Sequence, residues 1–239
     1  MSEVIHQFFD VGFMGEHFDE VLEGFWLTIQ LFFVAAVLSL AWGLILALLR
    51  QLPGRGFLPV RFLTIAYIDV FRAIPLLILI LLIATGIPSL DFLPESLRIP
   101  EWFGKPDPFW YGTLALTITY GAYMAEVYRA GIEAVPQGQM EAARSLGMNH
   151  RKAMRHVIVP QAIGKVFALM KDTTLVSVIA LNEVVLVGQD IQSETFNSSA
   201  LTLGGLMFLV LILPMARLTD RLIARNQGRI ARGAHIEVA

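Results

Sequence analysis

The sequence predicts an all-α, polytopic membrane protein of five transmembrane helices, N-terminus outside and C-terminus cytoplasmic, and three observations carry that expectation. Of the 239 residues, 56% are hydrophobic and 16% charged, whereas soluble domains carry roughly 25% charged residues. Mean hydropathy is +0.64, and the apolar residues gather into runs of the roughly 20 residues that a bilayer core demands. Lys and Arg, finally, concentrate in alternate connecting segments, as they do when one side of each crossing is cytoplasmic.

The first 24 residues hold Glu3, Asp10, Glu16, Asp19, Glu20 and Glu23 without a Lys or Arg, the reverse of a signal peptide's basic start, and read as mature protein. Their stretch 10–24, with Phe13, Phe18, Val21 and Leu22, suits either an outer-surface helix or a frayed end. The first span, 25–49, is uncharged until Arg50. The second, 64–87, has Asp69 and Arg72 near its start and contains Pro75, which reads first as a kink. Between the second and third spans, 88–107 is rich in proline and leads through Trp102 to Trp110, so a short interfacial helix is expected there. The third span, 108–135, carries Glu126, Arg129 and Glu133 in its later half. The fourth, 163–188, contains Lys171, Asp172 and Glu183; the fifth, 195–216, is uncharged and includes Pro214 and the packing pair Gly204-Gly205.

Segments 1–24, 88–107 and 189–194 together hold only Arg98 and Lys105, against fourteen Lys and Arg in the intervening segments. That asymmetry orients the chain. No repeat or second soluble unit is visible, so 1–239 forms one domain with a core at 20–225.

The longest cytoplasmic segment, 136–160, is too polar for lipid and too patterned for a simple connector: QGQMEAARSLGMNHRKAMRHVIVP. Glu141, Ala142, Ala143 and Leu146 make a short helix with a small-residue face, Gly147 suits a left-handed turn, and Asn149 can cap a second helix before Pro160. Small alanines admit a partner surface closely, and Glu141 supplies a charge for orientation. The run Arg151, Lys152, Arg155 and the ladder Arg217, Arg221, Arg225 suit inner headgroups, with partner contact as an alternative for the first.

This segment resembles the inner-membrane permeases of binding-protein-dependent ABC importers. Their motif runs Glu-Ala-Ala, three residues, Gly, nine residues, Ile, one residue, Leu-Pro. Here Glu141-Ala142-Ala143, Gly147, Val157 and Val159-Pro160 keep every spacing, with Val replacing Ile and Leu. The likeness extends over roughly 20–225 to the polar amino-acid subfamily. Phe71-Arg72-Ala73-Ile74-Pro75 resembles its Arg-Gly-Thr-Pro, Tyr123 to Arg129 its Ala-Glu-x-x-Arg-Gly, and Lys171-Asp172-Thr173-Thr174-Leu175 its Lys-Asp-Thr-Ser-Leu; Ala73, Ile74 and Ala130 depart.

The resemblance implies a type I ABC importer permease fold in the bacterial inner membrane, translocating polar amino acids by alternating access. It implies ATPase subunits that bind ATP and Mg, docking on Glu141, Ala142, Ala143, Leu146, Gly147 and Pro160. It also implies an extracytoplasmic solute-binding protein and a second permease, identical or a sister chain.

An ionisable side chain at mid-bilayer costs roughly 2.5–3.5 kcal/mol on insertion scales, so each requires a partner, water or a function. A cavity for free amino acids must meet a carboxylate and an ammonium. Arg72 suits the first, Glu183 or Glu126 the second, and these three are the substrate-path candidates. Against that reading, Asp69 and Arg72 at i, i+3 can pair on one helix face, and Lys171 with Asp172 can lie at the inner interface.

Other classes fit less well. The absence of Cys excludes disulfides and thiolate chemistry, and no phosphate-cradling Gly-x-x-x-x-Gly-Lys-Ser/Thr is present, so the chain itself holds no nucleotide. None of His6, His17, His150, His156 or His235 falls in a His-Glu-x-x-His arrangement, which removes an intramembrane metalloprotease and any metal site. An ion-coupled secondary transporter would show internal repeats. Other small solutes, opines and organic cations among them, remain as alternative cargo, and nothing points to nucleic acid.

Overall fold

A computed structural model describes residues 2–133 and 150–236 as helices joined by tight turns. In chain order they are α1 (Ser2–Phe8), α2 (Val11–Glu16), α3 (Phe18–Arg50), α4 (Leu58–Ala73), α5 (Leu76–Gly86), α6 (Glu95–Arg98), α7 (Asp107–Glu133), α8 (His150–Asp172), α9 (Val184–Thr195) and α10 (Ser199–Ile236). Short 3-10 turns lie at Arg55–Phe57, Ile87–Ser89, Trp102–Gly104 and Thr173–Ile179.

The 33 residues of α3 span about 50 Å. Its buried positions include Gly24, Thr28, Ala35, Ala36, Ser39, Gly43 and Ala47, a stripe of small residues at helical spacing. Several of its large side chains, Trp26, Phe33, Val37 and Leu48, lie on the exposed surface. A water-soluble helix does the opposite; this pattern belongs to a helix whose solvent is lipid and whose packing depends on close backbone approach.

α7 runs through the centre, packed against α3, α4, α5 and α8. Where α3 and α7 cross, Gly43 and Gly121 oppose each other. A Cβ on Gly121 would stand 2.5 Å from Cδ1 of Trp42, and one on Gly43 2.9 Å from the Gly121 carbonyl oxygen. Polar bonds reinforce the crossing: the Trp42 indole donates to the Tyr67 hydroxyl at 2.8 Å, and that hydroxyl donates to the Ile118 carbonyl at 3.2 Å.

Two expected spans are broken. Arg55–Ala73 and Leu76–Ser89 meet at 106°, with extended Ile74 (ψ 128°) between them. Pro75 causes the break, because a residue preceding proline is driven out of the helical region and proline has no N–H to continue the ladder. The expected span 64–87, with its kink at Pro75, is therefore two helices meeting at a sharp angle. Ile158–Ile179 and Val184–Thr195 meet at 50°. There the chain passes through a 3-10 turn and left-handed Ala180 (φ 60°), so 163–188 is also a bent element.

Segment 189–194, expected as an outer connector, is helical within α9, and the turn falls at left-handed Phe196 (φ 54°) before α10 starts at Ser199. Among the described residues, α3 and Ser199–Arg217 qualify singly as membrane crossings by length and composition, and up to four qualify if each bent pair is one span. α7 is less apolar because its Thr113, Thr119, Tyr111 and Tyr120 are buried among neighbouring helices.

The N-terminal stretch is ordered. Asp10 caps α2, its Oδ1 accepting from the Phe13 N–H at 3.1 Å, and its own N–H donates to Ser199 Oγ at 3.1 Å. Gln7 Nε2 donates to the Phe196 carbonyl at 2.7 Å, and the Ser198 N–H donates to the Gln7 carbonyl at 2.9 Å. These bonds exclude the frayed-end reading for 10–24. The loop after α5 carries the expected short helix as α6, and beyond it the Trp102 and Trp110 rings pack at a 57° tilt with centroids 5.5 Å apart.

Candidate functional site

Glu141, Ala142, Ala143, Leu146 and Gly147 lie outside the described residues. Pro160 lies inside α8, half-buried. The helices bracketing the 134–149 segment are α7, which ends at Glu133, and α8, which starts at His150. Where they cross, Gly131 packs against the Ile158 side chain so tightly that no Cβ fits between them.

Near the end of α7, four charges join. Arg50 of α3 pairs with Glu126 Oε1; Arg129 donates to Glu126 Oε2 through Nε at 3.0 Å and Nη2 at 2.8 Å, and it also pairs with Glu133. Glu126 thus has both oxygens occupied by guanidinium groups. It staples α3 to α7.

One turn earlier on α7, Tyr123 collects cations. Lys165 Nζ of α8 lies 4.6 Å from the ring centroid and the Arg72 guanidinium carbon 5.8 Å from it. The Tyr123 hydroxyl donates to the Arg72 carbonyl at 3.4 Å. Tyr120 stands beside it, ring centroids 5.8 Å apart, and donates its hydroxyl to Asp172 Oδ2 at 2.7 Å. Lys165 and Asp172 are two turns apart on one face of α8, about 10 Å along the axis.

A polar ladder results, with two cations at one end, a carboxylate at the other and tyrosines between. Against α3, the crevice bordered by Ser39, Tyr120 and Lys165 is about 10 Å³, room for one water.

Glu183 is fully buried and lies elsewhere. It is the N-cap of α9, Oε1 accepting from the N–H groups of Val185 at 2.8 Å and Leu186 at 3.1 Å, while Oε2 accepts the Thr28 hydroxyl at 3.2 Å. Thr28 belongs to the first half of α3 and Arg50 to its last turn, so Glu183 and Glu126 are separated by roughly 30 Å along that helix. The three substrate-path candidates therefore do not converge. Arg72 of α4 lies over Tyr123, one turn of α7 before Glu126, and Glu183 stands apart from both.

Asp69 and Arg72 are both exposed and unpaired with each other. Sequence reasoning missed Tyr120, Tyr123 and Lys165. Lys165 was counted among the cytoplasmic basic residues, although its neighbours Ala162, Val166 and Leu169 give it a place on a packed helix.

Residues 39–227 match the family of binding-protein-dependent transport system inner membrane components. The arginine transport system permease protein ArtQ of Bacillus subtilis is 31% identical over 202 residues, covering 81% of this chain and 86% of its own. The octopine transport system permease protein OccM of Rhizobium radiobacter is 34% identical over 221 residues, covering 88% and 87%. Among solved structures, an amino acid ABC transporter crystallised with histidines superposes with a TM-score of 0.70 at 32% identity, covering 90% of this chain and 98% of that one. The inward-facing MetNI methionine transporter, at 18% identity and a TM-score of 0.59, shares the fold.

Proposed function

The chain belongs to the family of inner membrane components of binding-protein-dependent transport systems, and from that premise we propose that it is the permease of an ATP-driven importer for polar amino acids. The observation that carries the cargo class is the ladder of Arg72, Lys165, Tyr123, Tyr120 and Asp172, whose opposite charges suit the two ends of an amino acid. Relatives named for arginine, octopine and glutamine transport support the same class, all three cargoes carrying an ammonium and a carboxylate.

The whole chain, 1–239, acts as one permease domain of the type I importer fold. It crosses the membrane five times, N-terminus outside and C-terminus cytoplasmic, with α7 as the third crossing and the bent pairs as the second and fourth. Five helices are too few to enclose a path, so a second copy or a sister permease completes it. An extracytoplasmic binding protein delivers cargo, and separate ATPase subunits bind ATP and Mg.

In this mechanism the ATPase subunits grip the segment holding Glu141, Ala142, Ala143, Leu146 and Gly147, with Pro160 a short way along α8. α7 enters that segment and α8 leaves it, and the same two helices carry the two sides of the ladder. Closure of the ATPase pair shifts α7 against α8, so Tyr123 and Lys165 part or close as the site changes the side it faces. Arg72 and Lys165 take the cargo carboxylate, Asp172 its ammonium, while Glu126 holds α7 to α3 and Glu183 holds the start of α9.

The test is to solubilise the tagged protein from its native membrane and identify what co-purifies, comparing wild type with Glu141→Lys plus Gly147→Asp. An ATPase subunit that accompanies wild type and is lost with the double variant is the expected result. Absence of any nucleotide-binding partner, under conditions preserving other membrane complexes, would overturn it. For the cargo class, Asp172→Asn in the reconstituted complex should abolish amino-acid stimulation of ATP hydrolysis and leave basal hydrolysis intact.

A further inference from the structure

The first half of α3 and the loop leading into α7 enclose a groove of about 480 Å³ on the outside of the bundle. Trp26 and Phe33 form one wall, Phe103 and Trp110 the other, and Gln30 and Lys105 are the only polar side chains lining it. The walls are open to the surroundings, Trp26 at 63% and Phe103 at 92% exposure. Lys105 stands at the loop side, its Nζ 5.8 Å from the centroid of Phe109.

The loop's other cation, Arg98, is bound to Asp91 at 2.9 Å. Lys105 has no carboxylate at ion-pair distance among the described residues. An apolar trough with one uncompensated ammonium at its mouth has the amphipathic pattern of a phospholipid, whose chain would fill the trough and whose phosphate would meet the cation. Tryptophans flanking the mouth belong at headgroup depth.

A polar amino acid gains nothing from such walls. A second copy docked through a two-fold axis sets the patch against itself, bringing Lys105 toward its own counterpart without a carboxylate for either. We infer that this groove binds an anionic phospholipid, its acyl chain along Trp26 and Phe33 and its phosphate on Lys105. The proposed orientation puts this lipid in the outer leaflet; the site itself does not rest on that orientation.

The experiment is native mass spectrometry of the full-length tagged protein in detergent, titrated with phosphatidylglycerol or phosphatidylcholine of identical chains. One phosphatidylglycerol should be retained per chain at concentrations where phosphatidylcholine is not. Lys105→Gln should weaken phosphatidylglycerol roughly fivefold and leave phosphatidylcholine unchanged, Lys105→Arg should restore it, and Val34→Trp, which fills the trough, should weaken both. Monodisperse elution and unchanged helical dichroism confirm that each variant is folded.

Equal retention of the two lipids by wild type, or indifference to Lys105→Gln, overturns the inference. So does a disulfide-linked dimer formed in membranes by Trp26→Cys, which introduces the sole cysteine of the chain and would assign the groove to a second copy. No readout depends on transport, so a failure here is distinguishable from failure of the importer reading.

Discussion

The carboxylates Glu126 and Glu183 lie at opposite ends of the α3 contact surface, and the protein accommodates them by unrelated means. Glu126 meets cations, Arg50 from α3 and Arg129 from its own helix, with 18% of its side chain still exposed. Glu183 meets none. Its oxygens take two N–H groups at the start of α9 and the hydroxyl of Thr28, and its exposure is 0%. A helix N-terminus carries roughly half a positive charge, so it substitutes for a basic side chain at a depth where basic residues are excluded. Buried carboxylates in a membrane bundle thus need not report substrate, because helix N-terminal N–H groups and a neighbouring hydroxyl can hold them.

The comparison breaks most sharply at Glu183. Replacement by Leu leaves the Val185 and Leu186 N–H groups without an acceptor and removes the cap, while the Thr28 hydroxyl keeps the Gly24 carbonyl at 3.0 Å, a loss of about 3 kcal/mol. Thermal unfolding of the detergent-solubilised protein should show it as the largest drop in Tm of the series, with Glu183→Gln, which keeps an acceptor oxygen, losing clearly less. If Leu and Gln are equivalent, the capping account fails.

Glu126→Gln should cost about 2 kcal/mol, because Arg50 and Arg129 lose their shared acceptor while partly exposed to solvent. A double-mutant cycle with Arg50→Gln should return a coupling of about 1 kcal/mol; zero coupling would place the pair among surface contacts of no consequence. Thr28→Val removes a single hydroxyl from the Glu183 site and should lower stability by about 1 kcal/mol in the same assay. The smallest effect belongs to Tyr120→Phe. Its stability should move by no more than about 1 kcal/mol, yet amino-acid-stimulated ATP hydrolysis should fall, since the hydroxyl that orients Asp172 is gone.

Depth was legible in the sequence and partnership was not. The uncharged run before Arg50 announced α3, and the spacing of Glu141, Gly147 and Pro160 pointed to the family now matched over residues 39–227. The break at Pro75 was legible as a position but not as an angle, because a missing N–H tells where a helix yields and not how far neighbouring helices swing it. The partners of the charges were out of reach: Arg50 finds Glu126 across 76 residues and Thr28 finds Glu183 across 155. No local spacing rule covers such distances. The ladder was missed for the same reason, since Tyr123, Lys165 and Arg72 come from three separate helices.

The clasp between residues 6–10 and the turn at 196–199 has a consequence for biosynthesis. Its bonds join groups up to 191 positions apart, so residues 6–10 have no binding site at that turn until α9 and α10 have been made and inserted. Until then residues 6–10 lack these partners, and they dock as the last hairpin closes. Protease sensitivity of that segment in pulse-labelled cells therefore clocks the completion of insertion, and a chain stalled before Phe196 would stay cleavable there indefinitely.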